Sequence, residues 1–245
     1  MPQNTKQIKS SSDSEETMGK DELQIEVATC VRMLEFLGLI DFSGHVSSRC
    51  PGTESMLINS WGASRHGLGP QDIIEANLAG EPLEKNVILP SEVHIHASIY
   101  RQRDEINAIA HLHPPVTTAL STAGKSYVPV VHHGAIFDKG VPVYDDCGHV
   151  NTREKGDALA KELGACRAVI MRGHGAVVVA ESVKGAFFGS VYLEDNAKKL
   201  LEAYKMGNPV ALREDELKIG DRIWRQPQFE KIWNYYQEKS GIEFN

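Results

Sequence analysis

The sequence predicts an α/β domain in which a mixed or mainly antiparallel sheet is covered by helices. Three observations lead there. Segments with the 3.6-residue apolar period of a helix alternate with short apolar or alternating segments of strand type. Several of those strands are joined too closely for the crossover helices that parallel pairing needs. The 245-residue length allows one large core.

Along the chain, residues 1–20 are rich in Ser, Lys, Glu and Gln and read as a disordered tail. Leu23, Val27, Val31, Leu34 and Leu37 can share one helical face, with Gly38 suited to the C-terminal end. Residues 45–49 and 56–60 read as strands around a Pro51-Gly52 turn, and 71–75 as a short helix or turn. Pro90 and Ser91 open a helix running to about residue 103, with Ser91 as N-cap. A strand over 106–113 is stopped by Pro114-Pro115. Further strands are expected at 128–131, 141–144, 168–171 and 176–180. Asn151 or Thr152 caps a helix to Leu163, and Ser182 caps a long helix ending at Gly207. The division is therefore a tail over 1–20, one domain over 21–208, and an aromatic helical segment over 209–245. That segment, with Trp224, Phe229, Trp233, Tyr235 and Tyr236, is expected to pack on the domain or on a neighbouring subunit.

The net charge of −7, with both signs dispersed, argues against nucleic-acid and anionic-membrane surfaces, which need a clustered positive face. No apolar run approaches a membrane span, and the N-terminus has no apolar signal core. Cys30, Cys50, Cys147 and Cys166 lack a CxxC spacing and read as reduced thiols of a cytoplasmic protein.

The histidines carry the chemistry. His111 and His113 lie two apart in a strand, so both imidazoles project from one face and can reach one cation. His174 sits between Gly173 and Gly175, which let the backbone turn tightly and bring the ring up to a site. Neutral imidazoles suit zinc, iron, cobalt, nickel or manganese and leave coordination positions open. The bland alternative is a chance pair of strand-end histidines and a turn histidine. His94 and His96 have the same spacing on a helix, where they point about 200° apart, so packing or hydrogen bonding suits them better. Glu92 is either a general acid/base or a surface carboxylate that complements a helix dipole.

Gly44-His45-Val46-Ser47, then Pro90-Ser91-Glu92 opening a helix with His96, then Ala110-His111-Leu112-His113-Pro114, then Arg172-Gly173-His174-Gly175, in that order, resembles the class II aldolase/adducin family. The resemblance runs from about Leu23 to about Tyr204. It implies a three-layer αβα fold with a central, mostly antiparallel sheet, and a homotetramer with sites near subunit interfaces. It also implies that His111, His113 and His174 hold one divalent cation per subunit, with Glu92 as acid/base. The chain departs from the family's sugar-phosphate aldolases where those hold phosphate. His45 replaces Asn, Trp61-Gly62 replaces Thr-Gly, and Pro90 replaces Ser. Imidazole, indole and proline offer a phosphate fewer donors. His45, Trp61, Gly62, Arg65, His66 and Ser91 are the expected substrate contacts, suited to a flat, carboxylate-bearing molecule. Gly-His-Val-Ser and Met-Arg-Gly-His-Gly look closer to the family's decarboxylases of hydroxylated aromatic or heteroaromatic carboxylates. The expected activity is thus a metal-dependent lyase, a decarboxylase or else an aldolase. An Fe(II) oxygenase on the same fold and a non-catalytic adducin-like binding module are the remaining alternatives. Phosphate binding elsewhere, near Arg153 or Lys155 at a helix start, is the rival to phosphate exclusion.

Overall fold

Alternation of side chains along each strand gives the sheet two buried faces, and helices cover both. The computed structural model describes residues 19–244. The tail expected over 1–20 therefore lies outside the described residues except for Gly19 and Lys20, which lead into the first helix. The elements are α1 (Lys20–Phe36), β1 (His45–Arg49), β2 (Ser55–Asn59), β3 (Ile73–Asn77), α2 (Val93–Gln102), β4 (Ala108–Leu112), α3 (Pro115–Thr122), β5 (Val143–Tyr144) and α4 (Arg153–Leu163). They continue with β6 (Ala168–Met171), β7 (Gly175–Ala180), α5 (Val183–Met206), α6 (Glu214–Leu217), α7 (Gly220–Ile223) and α8 (Gln226–Ser240).

The seven strands form one sheet in the order β3-β2-β1-β4-β7-β6-β5. Every neighbouring pair is antiparallel except β5 with β6. On one face, Val46, Ala110, Ile170 and Val178 pack under α1, α3, α5 and α8, with Phe187, Phe188, Phe229 and Trp233 at the centre. On the other, Ile109, Val169, Val177 and Val179 meet Ile95 and Ile99 of α2 and Leu159 and Leu163 of α4. The result is the αβα sandwich expected of the sequence. The C-terminal helix α8 lies on α1 and α5 of its own chain, where Phe187 meets the Trp233 ring edge-on at 5.6 Å.

Four local expectations are corrected. Residues 71–75 are not a helix. A short 3₁₀ turn at Pro70–Asp72 leads into β3, because pairing with β2 supplies the backbone partners there. The strand expected at 128–131 is irregular: the Asn196 amide accepts from the Val130 N–H and donates to the Val128 carbonyl, both at 2.9 Å, in place of a neighbouring strand. Pro115 does more than stop β4, since it stands in the first turn of α3, where its missing N–H costs nothing. Helix α2 starts at Val93 with Glu92 as its cap residue, one position later than a Ser91 cap would give. That shift takes Glu92 off the helix surface and buries it, 5% exposed, at the edge of the sheet.

Candidate metal centre

The site forms where β1, β4 and the β6–β7 turn end together. Antiparallel register sets His45 directly opposite His111, and residues opposite one another share a face. That face is the α2 side, the side to which Ile109 also belongs. His113 follows two residues after His111, just past the strand end. His174 comes from the turn between β6 and β7. Gly173 there has φ +67°, and a side-chain carbon at Gly175 would overlap the Leu112 carbonyl, so both glycines are required by the backbone. One ligand atom from each of His111, His113 and His174 falls within 4.8 Å of the others.

Whether these residues suit a cation can be tested on their hydrogen bonds. His111 Nδ1 lies 3.2 Å from the Ala176 carbonyl, which can only accept, so the proton is on Nδ1 and Nε2 carries a lone pair. That Nε2, His113 Nε2 and His174 Nδ1 are all buried with no hydrogen-bond partner among the described residues. Glu92 Oε2 sits 3.4 Å from His111 Nε2 and 3.5 Å from His174 Nε2. A lone pair thus faces a carboxylate oxygen, an arrangement that a cation relieves. Burial opposes ionisation of Glu92. The His174 imidazole, donating from Nε2 at 3.5 Å, and the Val150 N–H, 2.9 Å from Oε1, nevertheless hold the carboxyl well below the usual carboxylate range. The donor set, one unpartnered nitrogen on each of three imidazoles beside an ionised carboxylate, fits a divalent metal.

A cavity of about 480 Å³ opens above these groups, and His45, Trp61, Arg65, Ser91, Glu92, His113 and His174 line it. His111 lies behind them, fully buried. Gly62 and His66 do not line it. The turn carrying them points Trp61 and Arg65 inward and leaves the His66 ring outside, 3.4 Å from Glu35. Arg65 is 4% exposed and largely committed to backbone, since Nε donates to Gly44 O at 3.0 Å and Nη1 to Ser60 O at 3.2 Å. It pins the loop of Trp61 to that of His45 and has no full fork to offer a ligand. Phe42, Cys147 and His149 also line the cavity, and sequence reasoning did not place them there. Their signal was only adjacency to Gly44 and to a strand end. His149 comes within 5.7 Å of the His174 ring. Among the described residues, none after Gly207 lines the cavity.

The buried histidines predict an acid-labile fold in the metal-free chain. Burial and the neighbouring His111 push His96 down to about 3, burial and the same neighbour push His113 to about 4, and burial puts His45 well below its usual value. His174 runs the other way, raised by its hydrogen bond to Glu92. A lowered histidine contributes stability that is complete above its unfolded pKa and is lost as pH falls toward the folded one. His94 is lowered by burial as well, so four lowered groups against one raised leave the unfolded chain binding more protons, and stability should drop between pH ~6.5 and ~4.5, by about 1.4 kcal/mol per pH unit for each net proton. Urea titrations across that window check this, and a flat profile contradicts it.

Comparison with known proteins places this geometry. Residues 25–201 match the Class II Aldolase and Adducin N-terminal domain family, and the chain belongs to that family. Its relatives include a 3,4-dihydroxyphthalate decarboxylase of Arthrobacter keyseri, 33% identical over 74% of this chain and 78% of that protein. Beta-adducin of Homo sapiens is 27% identical over 72% of this chain and 25% of its own length. Among solved structures, an L-fuculose 1-phosphate aldolase from Glaciozyma antarctica PI12 superposes with a TM-score of 0.80, covering 91% of each chain at 19% identity, a likeness of fold alone.

Proposed function

We propose that this chain is a metal-dependent C–C lyase that decarboxylates a hydroxylated aromatic or keto carboxylate. His111, His113 and His174 hold one divalent cation (zinc, manganese, iron, cobalt or nickel), and Glu92 moves the proton. The observation that carries the reading is the buried Glu92 carboxylate beside His111 and His174, with an unpartnered nitrogen on each of His111, His113 and His174, at one cavity. Breaking a C–C bond next to a carbonyl or phenolic oxygen leaves negative charge on that oxygen. A bound divalent cation supplies Lewis-acid stabilisation of such charge. Glu92, held by the Val150 N–H, accepts a substrate hydroxyl proton at Oε2 and returns it to the carbon from which CO₂ has left.

The substrate side supports a flat anion. Trp61 is 60% exposed and Phe42 88% exposed at the cavity wall, giving aromatic surface for a ring to stack on. Arg65 keeps Nη2 without a partner among the described residues, enough for one carboxylate oxygen. Ser91 and His45 supply the remaining polar contacts. Pro90, also in the wall, gives neither hydroxyl nor amide proton to a phosphate. The likeness to a 3,4-dihydroxyphthalate decarboxylase favours the same reading. The metal-loaded protein is expected to turn over members of a panel of hydroxylated benzoates and phthalates and to leave ketose and aldose 1-phosphates untouched. Cleavage of a sugar phosphate, with no aromatic acid decarboxylated, would overturn this in favour of an aldolase. Oxygen consumption in the same assay would point to an oxygenase, and purified protein free of metal to a binding module.

We also propose a homotetramer with its sites near subunit interfaces. Phe42 and Trp61 are the surface that a neighbouring subunit would cover, and α8, which does not reach the cavity of its own chain, would approach that of another. Light scattering should give four chains per particle. A monomer at micromolar concentration would end this part of the proposal.

A further inference from the structure

Behind the cavity runs a line of buried polar groups that the proposed reaction does not use. His45 Nδ1 lies 2.6 Å from His96 Nε2. His96 Nδ1 lies 2.6 Å from Ser47 Oγ, and Ser47 Oγ lies 2.7 Å from the Tyr100 hydroxyl. Ser47, His96 and Tyr100 are fully buried, and His45 reaches the cavity with 4% of its surface. Its Nε2 has no hydrogen bond among the described residues, so whatever it offers is offered to the cavity. We infer that Tyr100, Ser47 and His96 form a relay that fixes His45 as its Nε2–H tautomer, so that His45 meets an oxygen anion of the substrate as a hydrogen-bond donor.

The direction of the relay follows from its two ends. Two imidazoles 2.6 Å apart share one proton, and burial keeps both rings neutral, so each carries a single N–H. A chain of such groups can run only two ways. At the inner end the Tyr100 hydroxyl has two neighbours, Ser47 Oγ at 2.7 Å and the Asn107 carbonyl at 3.4 Å. The first is an ordinary O–H···O distance and the second is beyond it. The Asn107 carbonyl already accepts from the Arg49 N–H at 2.8 Å. A phenol is also a stronger acid than a serine hydroxyl and so the better donor. Tyr100 therefore donates to Ser47, Ser47 to His96 Nδ1, and His96 Nε2–H to His45 Nδ1, which leaves the remaining proton on His45 Nε2.

The outer end agrees. His45, Glu92 and His111 each bring a ligand atom within 4.8 Å of one another. Glu92 Oε2 lies 3.4 Å from His111 Nε2, which the Ala176 contact has left bare, so two acceptors already face this corner. A third bare acceptor would add repulsion, whereas an N–H complements both. It follows that His45 keeps its proton and is not a fourth metal ligand. Tyr100, Ser47 and His96 are positioning residues that act through it. What the donor meets, a substrate carboxylate or phenolate, rests on the lyase reading; the tautomer does not.

The test separates the two. In zinc-loaded protein labelled with ¹⁵N-histidine, two-bond ¹H–¹⁵N spectra report which nitrogen is protonated, with His45 assigned by the signals lost in His45→Asn. Nε2 protonated and Nδ1 bare is the expected pattern. The reverse, or both shifts pulled to a metal-bound value, overturns the relay whether or not any acid is decarboxylated. In Tyr100→Phe, Ser47 is free to accept instead of donate. The His45 signals should move toward a tautomer mixture, and affinity for 3,4-dihydroxybenzoate should fall about tenfold, the scale of one hydrogen bond to a charged group. Zinc content should not change. Unaltered signals or unaltered affinity in folded Tyr100→Phe would sink the assignment. If that variant does not fold, the wild-type spectrum alone decides.

Discussion

Substituting His111 or His174 with alanine is expected to take the metal content of the purified protein from one ion per chain to none, and turnover with it. Each has a buried nitrogen without a hydrogen-bond partner among the described residues, and one ligand atom from each of His111, His113 and His174 lies within 4.8 Å of the others, so two remaining imidazoles cannot enclose a cation. Loss of groups that only orient a ligand typically weakens metal binding by about 10–100-fold, so loss of a ligand itself should exceed that range. His111 is fully buried in the central strand, and its ring packs at 4.9 Å from His45 and 5.2 Å from His174. His111→Ala therefore also leaves a cavity and lowers thermal stability. His113, just past the strand end and with its side chain 20% exposed, gives a variant with less of that complication, so metal loss in His113→Ala separates ligation from folding. Full occupancy by elemental analysis in either His111→Ala or His174→Ala would remove that residue from the centre.

Glu92→Gln should keep the fold and the metal and lose about 10²–10⁴-fold in turnover, the usual contribution of a general acid/base. The amide has the shape of the carboxylate, and its oxygen can still accept from the Val150 N–H, so the start of α2 is preserved. What it cannot do is take a proton from a substrate hydroxyl. Its carboxyl is held below the usual range, so on the proposed reading Glu92 would act as base first and acid second. A Glu92→Gln enzyme with a near-normal rate would reduce the residue to a helix-start carboxylate. Metal content measured on the same sample separates loss of chemistry from loss of the cation.

Much of this arrangement was already written in local sequence. The two-residue spacing of His111 and His113 fixed their common side, because strand side chains alternate and no tertiary contact can change that parity. Gly173 and Gly175 marked the turn of His174 for an equally local reason, a positive φ at one and a crowded backbone at the other. The helix caps at Thr152 and Ser182 and the apolar runs of β6 and β7 were legible in the same way. Other features depended on partners remote in the chain. Residues 73–75 joined β3 because β2 was there to pair with, and 128–131 lost its strand because Asn196, more than sixty positions away, satisfied its backbone. Glu92 could be read as surface or active group until the later start of α2 turned it inward. His66 and Arg65, adjacent in sequence, were separated by one turn, the first left outside and the second tied to four carbonyls. The His45–His96 contact spans 51 positions and exists because β1 pairs with β4 while α2 packs across the same face. Residue type and element periodicity set which groups can do the chemistry and on which side of each element they stand. Which of them meet depends on strand register and helix packing, and those are set by the burial of apolar faces far from the residues that react.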